Sequence, residues 1–165
     1  MAKIDKMRVM NRRLITFLLC LLPVLAWGQA PKFEADEVLQ TNARKWAKEF
    51  VTFAKDKYEV ELDFSHQSIK YLDDIVEDLH KVYVEEKPAD ELIVPIARAL
   101  GCYVAEVYRI FNGGDWGWVT LEDGTYPSVQ TKSGTLALPM AKALDQIKTR
   151  TEPDIWEYYQ LLGRQ

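Results

Sequence analysis

The chain has few of the residues from which enzyme sites and disulfide frameworks are built. It contains two cysteines and two histidines in 165 residues, and the histidines, His66 and His80, lie 14 positions apart. On one helix that separation is about 21 Å, which is too long for both rings to bind one metal ion. The chain also lacks a Gly-X-Ser-X-Gly elbow, a phosphate-binding loop and a dinucleotide fingerprint. The sequence therefore predicts no catalytic residue, no metal and no cofactor, and it favours a non-enzymatic protein over an enzyme.

A membrane-spanning apolar run is also missing. The apolar run at residues 14–27 has about 14 residues, fewer than the roughly 20 that a spanning helix needs. Five basic residues precede it: Lys3, Lys6, Arg8, Arg12 and Arg13. Small residues then lead up to Gly28, so we expect residues 1–28 to be a cleaved secretory signal peptide, with Ala30 as a second candidate cleavage position. This predicts a periplasmic or secreted protein, and an uncleaved N-terminal anchor is the alternative.

Positive charge is scarce in the remaining 137 residues, which carry 16 basic and 24 acidic side chains and a net charge of −8. Such a domain is poorly suited to nucleic acid, whose phosphates require a basic surface, and to anionic membranes. We expect neither nucleic-acid binding nor stable membrane insertion after signal cleavage, and we expect a protein partner with a basic surface. Only Cys102 remains, so no intramolecular disulfide can form. Cys102 is expected to be a buried apolar residue rather than a nucleophile.

Apolar residues at helical spacing predict three helices in the first part of this domain, over residues 36–58, 66–84 and 92–111. Residues 29–35 are predicted to be a flexible lead, a short segment without regular structure before the first helix. The second helix presents a predicted acidic outer face of Asp73, Asp74, Glu77 and Asp78. The inward stripe of the third helix is predicted to contain Leu92, Ile96, Leu100, Tyr103, Val104, Val107 and Phe111. Gly101 interrupts that helix, and a glycine there often lets another element come close.

The last part of the chain predicts a small sheet. Gly113 and Gly114 end the third helix, because glycine takes a left-handed cap conformation cheaply. The predicted strands are residues 115–122, 128–131 and 135–139, with a hairpin turn at Asp123-Gly124 between the first two. Two short helices follow, opened by Pro139 and by a Thr151 cap. The predicted fold is α+β: three N-terminal helices packed on a three-stranded antiparallel meander, then two short helices, in one domain over residues 36–165.

Two tryptophans lie on the first predicted strand. Because side chains alternate along a strand, Trp116 and Trp118 share one face, and Gly117 on the other face would let a helix or strand approach. One interpretation is that both indoles pack against the helices as core residues. The other is a recognition patch in which Trp118 combines with Tyr126 across the hairpin and with Asp115, since stacked aromatic rings beside a carboxylate can hold a sugar ring or a loop of a partner.

Glu106 and Arg109 lie three residues apart, on one side of the third helix and close to its end. A local ion pair on the helix surface is one interpretation, and it would stabilise the helix only slightly. The other interpretation is a polar pair at the rim where the helix meets the hairpin and its tryptophans. The candidate ligand-binding or partner-binding residues are therefore Glu106, Arg109, Asp115, Trp116, Trp118 and Tyr126.

Three segments together resemble a bacterial family described only as a domain of unknown function. DFSHQSIKYLDDIVE is similar to a family segment in which an aspartate, an aromatic residue and a serine start a helix. LGCYVAEVYRIFNGGDW is similar to a helix with Leu-Gly-x-Tyr and a glutamate that is ended by Gly-Gly and a tryptophan, and LALPMAKALDQI resembles the strand, proline and helix that follow. The resemblance covers about residues 60–162 and implies an α+β domain without implying a reaction. The pattern positions carried over are Gly101, Tyr103, Glu106, Gly113, Gly114 and Trp116.

These observations favour a periplasmic or secreted protein-interaction module, for example an immunity or inhibitor-type protein that blocks a partner with a basic surface. A domain that binds a small ligand or a glycan through the Trp118 and Tyr126 region is the alternative. A cell-wall hydrolase is a third hypothesis, and it would require a cleft with convergent titratable groups.

Overall fold

The computed structural model describes residues 31–164, and the predicted signal peptide lies outside these residues. The α+β class is confirmed. The elements, in chain order, are β1 (Lys32–Ala35), α1 (Glu37–Tyr58), a 3-10 helix (Gln67–Tyr71), α2 (Leu72–Glu86), α3 (Asp90–Asn112), β2 (Asp115–Leu121), β3 (Gly124–Gln130), β4 (Leu136–Ala137), α4 (Pro139–Thr149) and α5 (Ile155–Gly163). Between residues 31 and 164, no helix combines the length and the apolar character needed to cross a membrane.

Helix α1 begins directly after its N-cap residue, Asp36. The carboxylate of Asp36 accepts hydrogen bonds from the backbone N–H groups of Val38 and Leu39, at 2.8 and 3.0 Å. These bonds satisfy two of the donors that the first turn of a helix leaves without a partner. The helical spacing predicts an inward stripe of Leu39, Ala43, Trp46, Ala47, Phe50 and Ala54 for this helix. All of these residues are buried except Trp46, which is partly buried.

Helix α3 is the centre of the domain and packs between α1 and α4. Every residue from Ala99 to Tyr108 is buried. Gly101 is required for this packing, because a Cβ there would lie 2.5 Å from the carbonyl oxygen of Pro139, at the start of α4. The expectation that Gly101 admits a close neighbour is therefore confirmed.

The inward stripe predicted for α3 is wrong at both of its ends, where Leu92 is 64 % exposed and Phe111 is 51 % exposed. At the first end, Ile93 takes the core-facing position instead, with an exposure of 3 %. At the other end, the ring of Phe111 lies on the surface against His66. A helical period continues past the point where neighbouring elements stop covering the helix, and the sequence pattern does not show that point.

Within residues 31–164 the sheet has four antiparallel strands in the order β1-β2-β3-β4, so the prediction of three strands is wrong. The additional strand, β1, comes from the segment predicted as a flexible lead, and it pairs Lys32 with Thr120 and Ala35 with Gly117. A four-residue strand leaves almost no periodicity in the sequence, and its pairing joins segments more than 80 residues apart. Gly117 permits this pairing, because a Cβ at that position would collide with the carbonyl oxygen of Glu34.

The second predicted strand is longer than expected, since β3 begins at Gly124, and Pro127 lies within it, opposite Trp118. Strand β4 pairs only with Val129 and Gln130. At Pro127, β3 is therefore an edge strand, where the missing N–H is tolerated.

The start of α5 differs from the prediction because a residue distant in sequence contributes to it. Asp154, and not Thr151, is the N-cap, and it accepts the N–H of Glu157 at 2.7 Å. Asp73, predicted on the acidic outer face of α2, is turned towards α5 and accepts the N–H of Ile155 at 3.0 Å. Burial, and then repulsion from Asp154, raise the pKa of the Asp73 carboxyl above its ordinary value. The acidic face of α2 therefore lacks one of its predicted members.

Candidate functional site

Three of the predicted site residues meet in a buried network at the end of α3. The Glu106 Oε1 atom accepts hydrogen bonds from Arg109 Nη1 at 2.6 Å and from Trp116 Nε1 at 2.7 Å. The Oε2 atom of Glu106 lies 3.5 Å from Nε of Arg44 on α1. The helical spacing of three residues brings Glu106 and Arg109 together, and the alternation along β2 turns Trp116 inwards. Both carboxylate oxygens of Glu106 thus have a hydrogen-bond donor or a cation beside them, as a buried carboxylate requires.

Arg109 connects three parts of the fold. Its Nε atom donates to the carbonyl oxygen of Gly114 at 2.8 Å, and its Nη2 atom donates to Oε1 of Gln40 on α1 at 2.7 Å. Together with the bond to Glu106, these contacts tie α3 to α1 and to the chain that enters β2. The pair therefore lies where the helix meets the hairpin, as the second interpretation required, and its contacts there are structural.

The two tryptophans differ, although they share one face of β2. Trp116 is 1 % exposed, which confirms the core interpretation for this residue, whereas Trp118 is 38 % exposed. The burial along β2 shows that the helices cover only the first part of this face. The indole Nε1 of Trp118 donates to Oδ2 of Asp36 at 2.8 Å. The N–H of Leu39, followed by this indole, lowers the pKa of the Asp36 carboxyl.

The proposed patch of Trp118 with Tyr126 does not form. The register pairs Tyr126 with Val119 and pairs Trp118 with Pro127, so the two rings lie on opposite faces of the sheet. A shift of one residue in register exchanges the faces, and the turn at residues 122 and 123 fixes that register. A hydrogen bond with Asp123 raises the pKa of Tyr126. Asp115 is exposed at the first position of β2.

An open cleft lies over the buried network, between α1, α3 and the loop that follows α1. It encloses about 430 Å³ and is lined by Arg44, Lys48, Phe64, Glu106, Arg109 and Ile110. Three cationic side chains and one carboxylate give this lining a net charge of +2. The local charge is thus opposite in sign to that of the domain as a whole.

The apolar wall of the cleft includes a backbone conformation that costs energy. Phe64 has a φ of +61°, in the left-handed region that bulky residues rarely adopt. Its N–H donates to the hydroxyl oxygen of Tyr103 at 3.0 Å, and that hydroxyl is 2.6 Å from Oγ of Ser68. Burial raises the pKa of Tyr103 above its ordinary value. The buried Tyr103 and Ser68 therefore hold Phe64 in the cleft wall, and strain of this kind is concentrated at functional sites.

An exposed apolar surface continues from the cleft. Ile110 is 59 % exposed, and the adjacent Phe111 stacks on the ring of His66 with a centroid distance of 3.8 Å. His66 in turn shares a hydrogen bond between its Nδ1 and the hydroxyl of Tyr159. Burial raises the pKa of Tyr159 to about 12. A second, smaller cleft of about 300 Å³ begins here, lined by His66, Tyr108, Asn112, Tyr159, Gln160, Gly163 and Arg164.

The sequence analysis did not identify four residues of the cleft over the buried network: Arg44, Lys48, Phe64 and Ile110. Arg44 and Lys48 are one turn apart on the polar face of α1, which in a sequence looks like any solvated helix face. Nothing in the sequence around Phe64 indicates its left-handed backbone. The exposure of Ile110 follows from the end of the helix packing and not from its residue type.

The histidines and the cysteine of residues 31–164 lie apart from the cleft over the buried network. No group of three or more His, Cys, Asp or Glu residues within that range could hold a metal ion. Cys102 is 0 % exposed, which confirms the prediction of a buried residue, and burial raises the pKa of its thiol well above the ordinary value. His80 lies on α2 with its Nδ1 2.9 Å from the carbonyl oxygen of Ile147, so it has a packing role.

No protein-family model and no curated protein matches the chain. Among solved structures, the chain is similar to a protein of Bacteroides thetaiotaomicron VPI-5482, with a TM-score of 0.51 and 13 % sequence identity. The similarity covers 81 % of this chain and 47 % of that chain, so this chain spans about half the length of the protein that it matches. At this identity the likeness shows the fold alone. Membership of the bacterial family of unknown function stays a prediction.

Proposed function

We propose that this domain is a non-enzymatic protein-interaction module of the periplasm or the cell exterior, of the immunity or inhibitor type. One observation carries this proposal: the exposed apolar side chains Ile110 and Phe111 lie beside an open charged cleft. Apolar residues grouped at the rim of a polar cleft are typical of surfaces that bind proteins. The engagement of Glu106 by Arg109, Trp116 and Arg44 supports a binding role over a catalytic one.

The acidic helix α2 suggests a second version of the same function. It carries six acidic residues and one basic residue. Exposed apolar residues flank the connection between α2 and α3, with Val84 at 53 % and Leu92 at 64 %. This acidic end of the domain suits the partner with a basic surface that the net charge predicts.

One experiment tests the two versions together. The mature protein is expressed in its own host with an affinity tag, cross-linked in intact cells and purified, and its partners are quantified by mass spectrometry. Ile110→Glu changes the cleft side, Leu92→Arg changes the acidic end, and Val38→Glu is the control, since Val38 is 70 % exposed at the start of α1. We expect Ile110→Glu to reduce recovery of the partner at least about tenfold, because the glutamate removes the apolar contact and its charge can pair with the cations of the cleft in place of the partner.

If Leu92→Arg alone abolishes recovery, the basic-partner version is supported and the cleft version is rejected. If no protein is enriched over the tag alone, or if all three variants behave like the wild type, the interaction module itself is rejected. Thermal unfolding of each variant shows whether it is folded.

The exposure of Trp118 favours one further candidate function, the binding of a glycan. Its half-exposed indole lies beside the carboxylate of Asp36, an arrangement that can hold a sugar ring. Titration with cell-wall fragments should then change the tryptophan fluorescence of the wild type but not of Trp118→Phe. An equal change in both proteins, or none in either, counts against glycan binding at this position.

A further inference from the structure

We propose that the cleft between α1 and α3 recognises an acidic peptide segment of the partner, in which a carboxylate side chain is followed by an apolar one. This inference rests on the proposed function and names the chemistry that its site takes. It assigns the carboxylate to Arg44 and Lys48 and the apolar side chain to Phe64 and Ile110.

The charges of the cleft are not neutralised within the domain. Arg109 and Glu106 form a buried pair whose charges cancel, with side-chain exposures of 10 % and 8 %. Arg44 is 57 % exposed, and within residues 31–164 its one ion pair is the 3.5 Å contact with Glu106. Lys48 is exposed, and in the same part of the chain its ammonium has no ion pair. Among the described residues, the lining of the cleft therefore has an excess of two positive charges.

The neighbours of these cations restrict the ligand. A bare phosphate or another small inorganic anion would use Arg44 and Lys48 and would gain nothing from Phe64 or Ile110. A carboxylate is matched to a guanidinium, which can bind it through two parallel hydrogen bonds. An apolar group next to the carboxylate would cover the exposed part of Ile110 and remove it from water, a contribution of about 25 cal/mol per Å².

The shape of the surface favours a polypeptide over a small molecule. The cleft is open, and the apolar surface continues beyond it onto Phe111 and the stacked His66. A segment of chain can follow this surface, whereas a small organic acid would leave it exposed. Phe64 is already held in its conformation by Tyr103, so the binding wall is ordered before the partner arrives, which lowers the cost of binding.

The test uses peptides as defined probes. The mature protein, labelled with ¹⁵N, is titrated by NMR with the acetylated and amidated peptide Gly-Asp-Leu-Gly, and with Gly-Asn-Leu-Gly as a control of nearly equal shape without charge. We expect saturable shifts of the amides of residues 44–48, 64 and 109–111 with the Asp peptide, and an affinity about tenfold lower with the Asn peptide. Inorganic phosphate is the third probe, and it should bind more weakly than the Asp peptide.

Matched variants locate the effect. Lys48→Ala should weaken binding of the Asp peptide several-fold, and Arg44→Ala should do the same, whereas Lys57→Ala on the same helix should leave it unchanged. Arg44 pairs with Glu106 of the buried network, whereas the Lys48 ammonium has no hydrogen bond or ion pair to that network within residues 31–164. Lys48→Ala therefore still tests the proposal if Arg44→Ala does not fold.

The outcomes separate the two proposals. Equal affinity for the Asp and Asn peptides, shifts located elsewhere, tighter binding of phosphate, or no saturable shift at millimolar peptide each overturn this inference. If any of these occurs while Ile110→Glu still abolishes recovery of the partner, the interaction module stands and only the acidic segment is rejected. If the Asp peptide binds as expected while Ile110→Glu has no effect in cells, the chemistry of the cleft stands and the proposed function falls.

Discussion

The indole of Trp116 donates its Nε1–H to Glu106 at 2.7 Å, and the two residues are 1 % and 6 % exposed. One residue comes from a strand and the other from the central helix, so the bond fixes the sheet against the helices. The same carboxylate oxygen accepts from Arg109, which in turn reaches α1. The buried carboxylate of Glu106 therefore links the sheet to α3 and, through Arg109, to α1.

Replacing Glu106 by Ala should destabilise the domain strongly. The change leaves the Arg109 guanidinium without its counter-charge and the buried Trp116 N–H without an acceptor, and breaking a buried pair in this way costs about 3–5 kcal/mol. Urea denaturation followed by circular dichroism measures the free energy of unfolding. Glu49→Ala is the control, because Glu49 is exposed and pairs with Lys45 at 3.9 Å; it should change stability by less than about 0.5 kcal/mol. Similar losses in both variants would show that the network has no special role.

Gly101→Ala should destabilise the domain although alanine is the better helix former. The helix preference favours alanine by about 1 kcal/mol, but the added Cβ would lie 2.5 Å from the Pro139 carbonyl oxygen and 2.6 Å from Cα of Met140. Both are backbone atoms of α4, so the helices must separate, and we expect a net loss of about 2 kcal/mol. Gly163→Ala is the matched control, since nothing lies within 4 Å of a Cβ there. A stability of Gly101→Ala equal to the wild type would contradict the close approach of α4.

The contribution of Asp36 to the stability of the domain should decrease as the pH falls. Hydrogen bonds from the N–H of Leu39 and from Trp118 lower its pKa in the folded state below the ordinary value of 3.8. A lowered pKa means that the unfolded state takes up the proton first. The stabilisation is therefore complete above pH 3.8 and is lost as the pH falls through the folded-state pKa.

Thermal unfolding of the wild type and of Asp36→Asn between pH 7 and pH 2 checks this prediction. Asparagine also caps helices but does not ionise, so the advantage of the wild type should shrink at acidic pH and vanish at the lowest values. In Trp118→Phe the same advantage should be smaller at neutral pH, because one donor is lost. An advantage that grows on acidification would give the wrong sign and refute the role of Asp36.

The two tryptophans of β2 should differ in their access to solvent. Trp118 is 38 % exposed and Trp116 is 1 % exposed, so a soluble quencher such as acrylamide reaches the first and not the second. Trp118→Phe should therefore lower the quenching of the total fluorescence clearly, and Trp116→Phe should not lower it. Equal quenching in the two variants would show that the indoles are similarly accessible, against the packing described above.

Local patterns predicted much of the fold because the determining interactions lie close together in the chain. The α1 stripe and the end of α3 at Gly113 each depend on residues within a few positions of one another. Strand β1 was missed for the opposite reason, since its four residues pair with β2, on the far side of three helices in sequence. Asp73 was misplaced on the surface because its partners in α5 are 82 and 83 residues away.

In the candidate site, too, some features follow from the local sequence and others from the tertiary packing. The sequence by itself determined that Glu106 and Arg109 face one side of a helix and that Trp116 and Trp118 share one face of a strand, because helical and strand periods are properties of the local backbone. Only the tertiary structure decided that Trp116 is buried and Trp118 exposed, that Tyr126 lies on the opposite face, and that cations of α1 stand over the Glu106 network. Coverage, register and the meeting of distant charges are set by the packing of whole elements, and no single segment of the sequence contains that information.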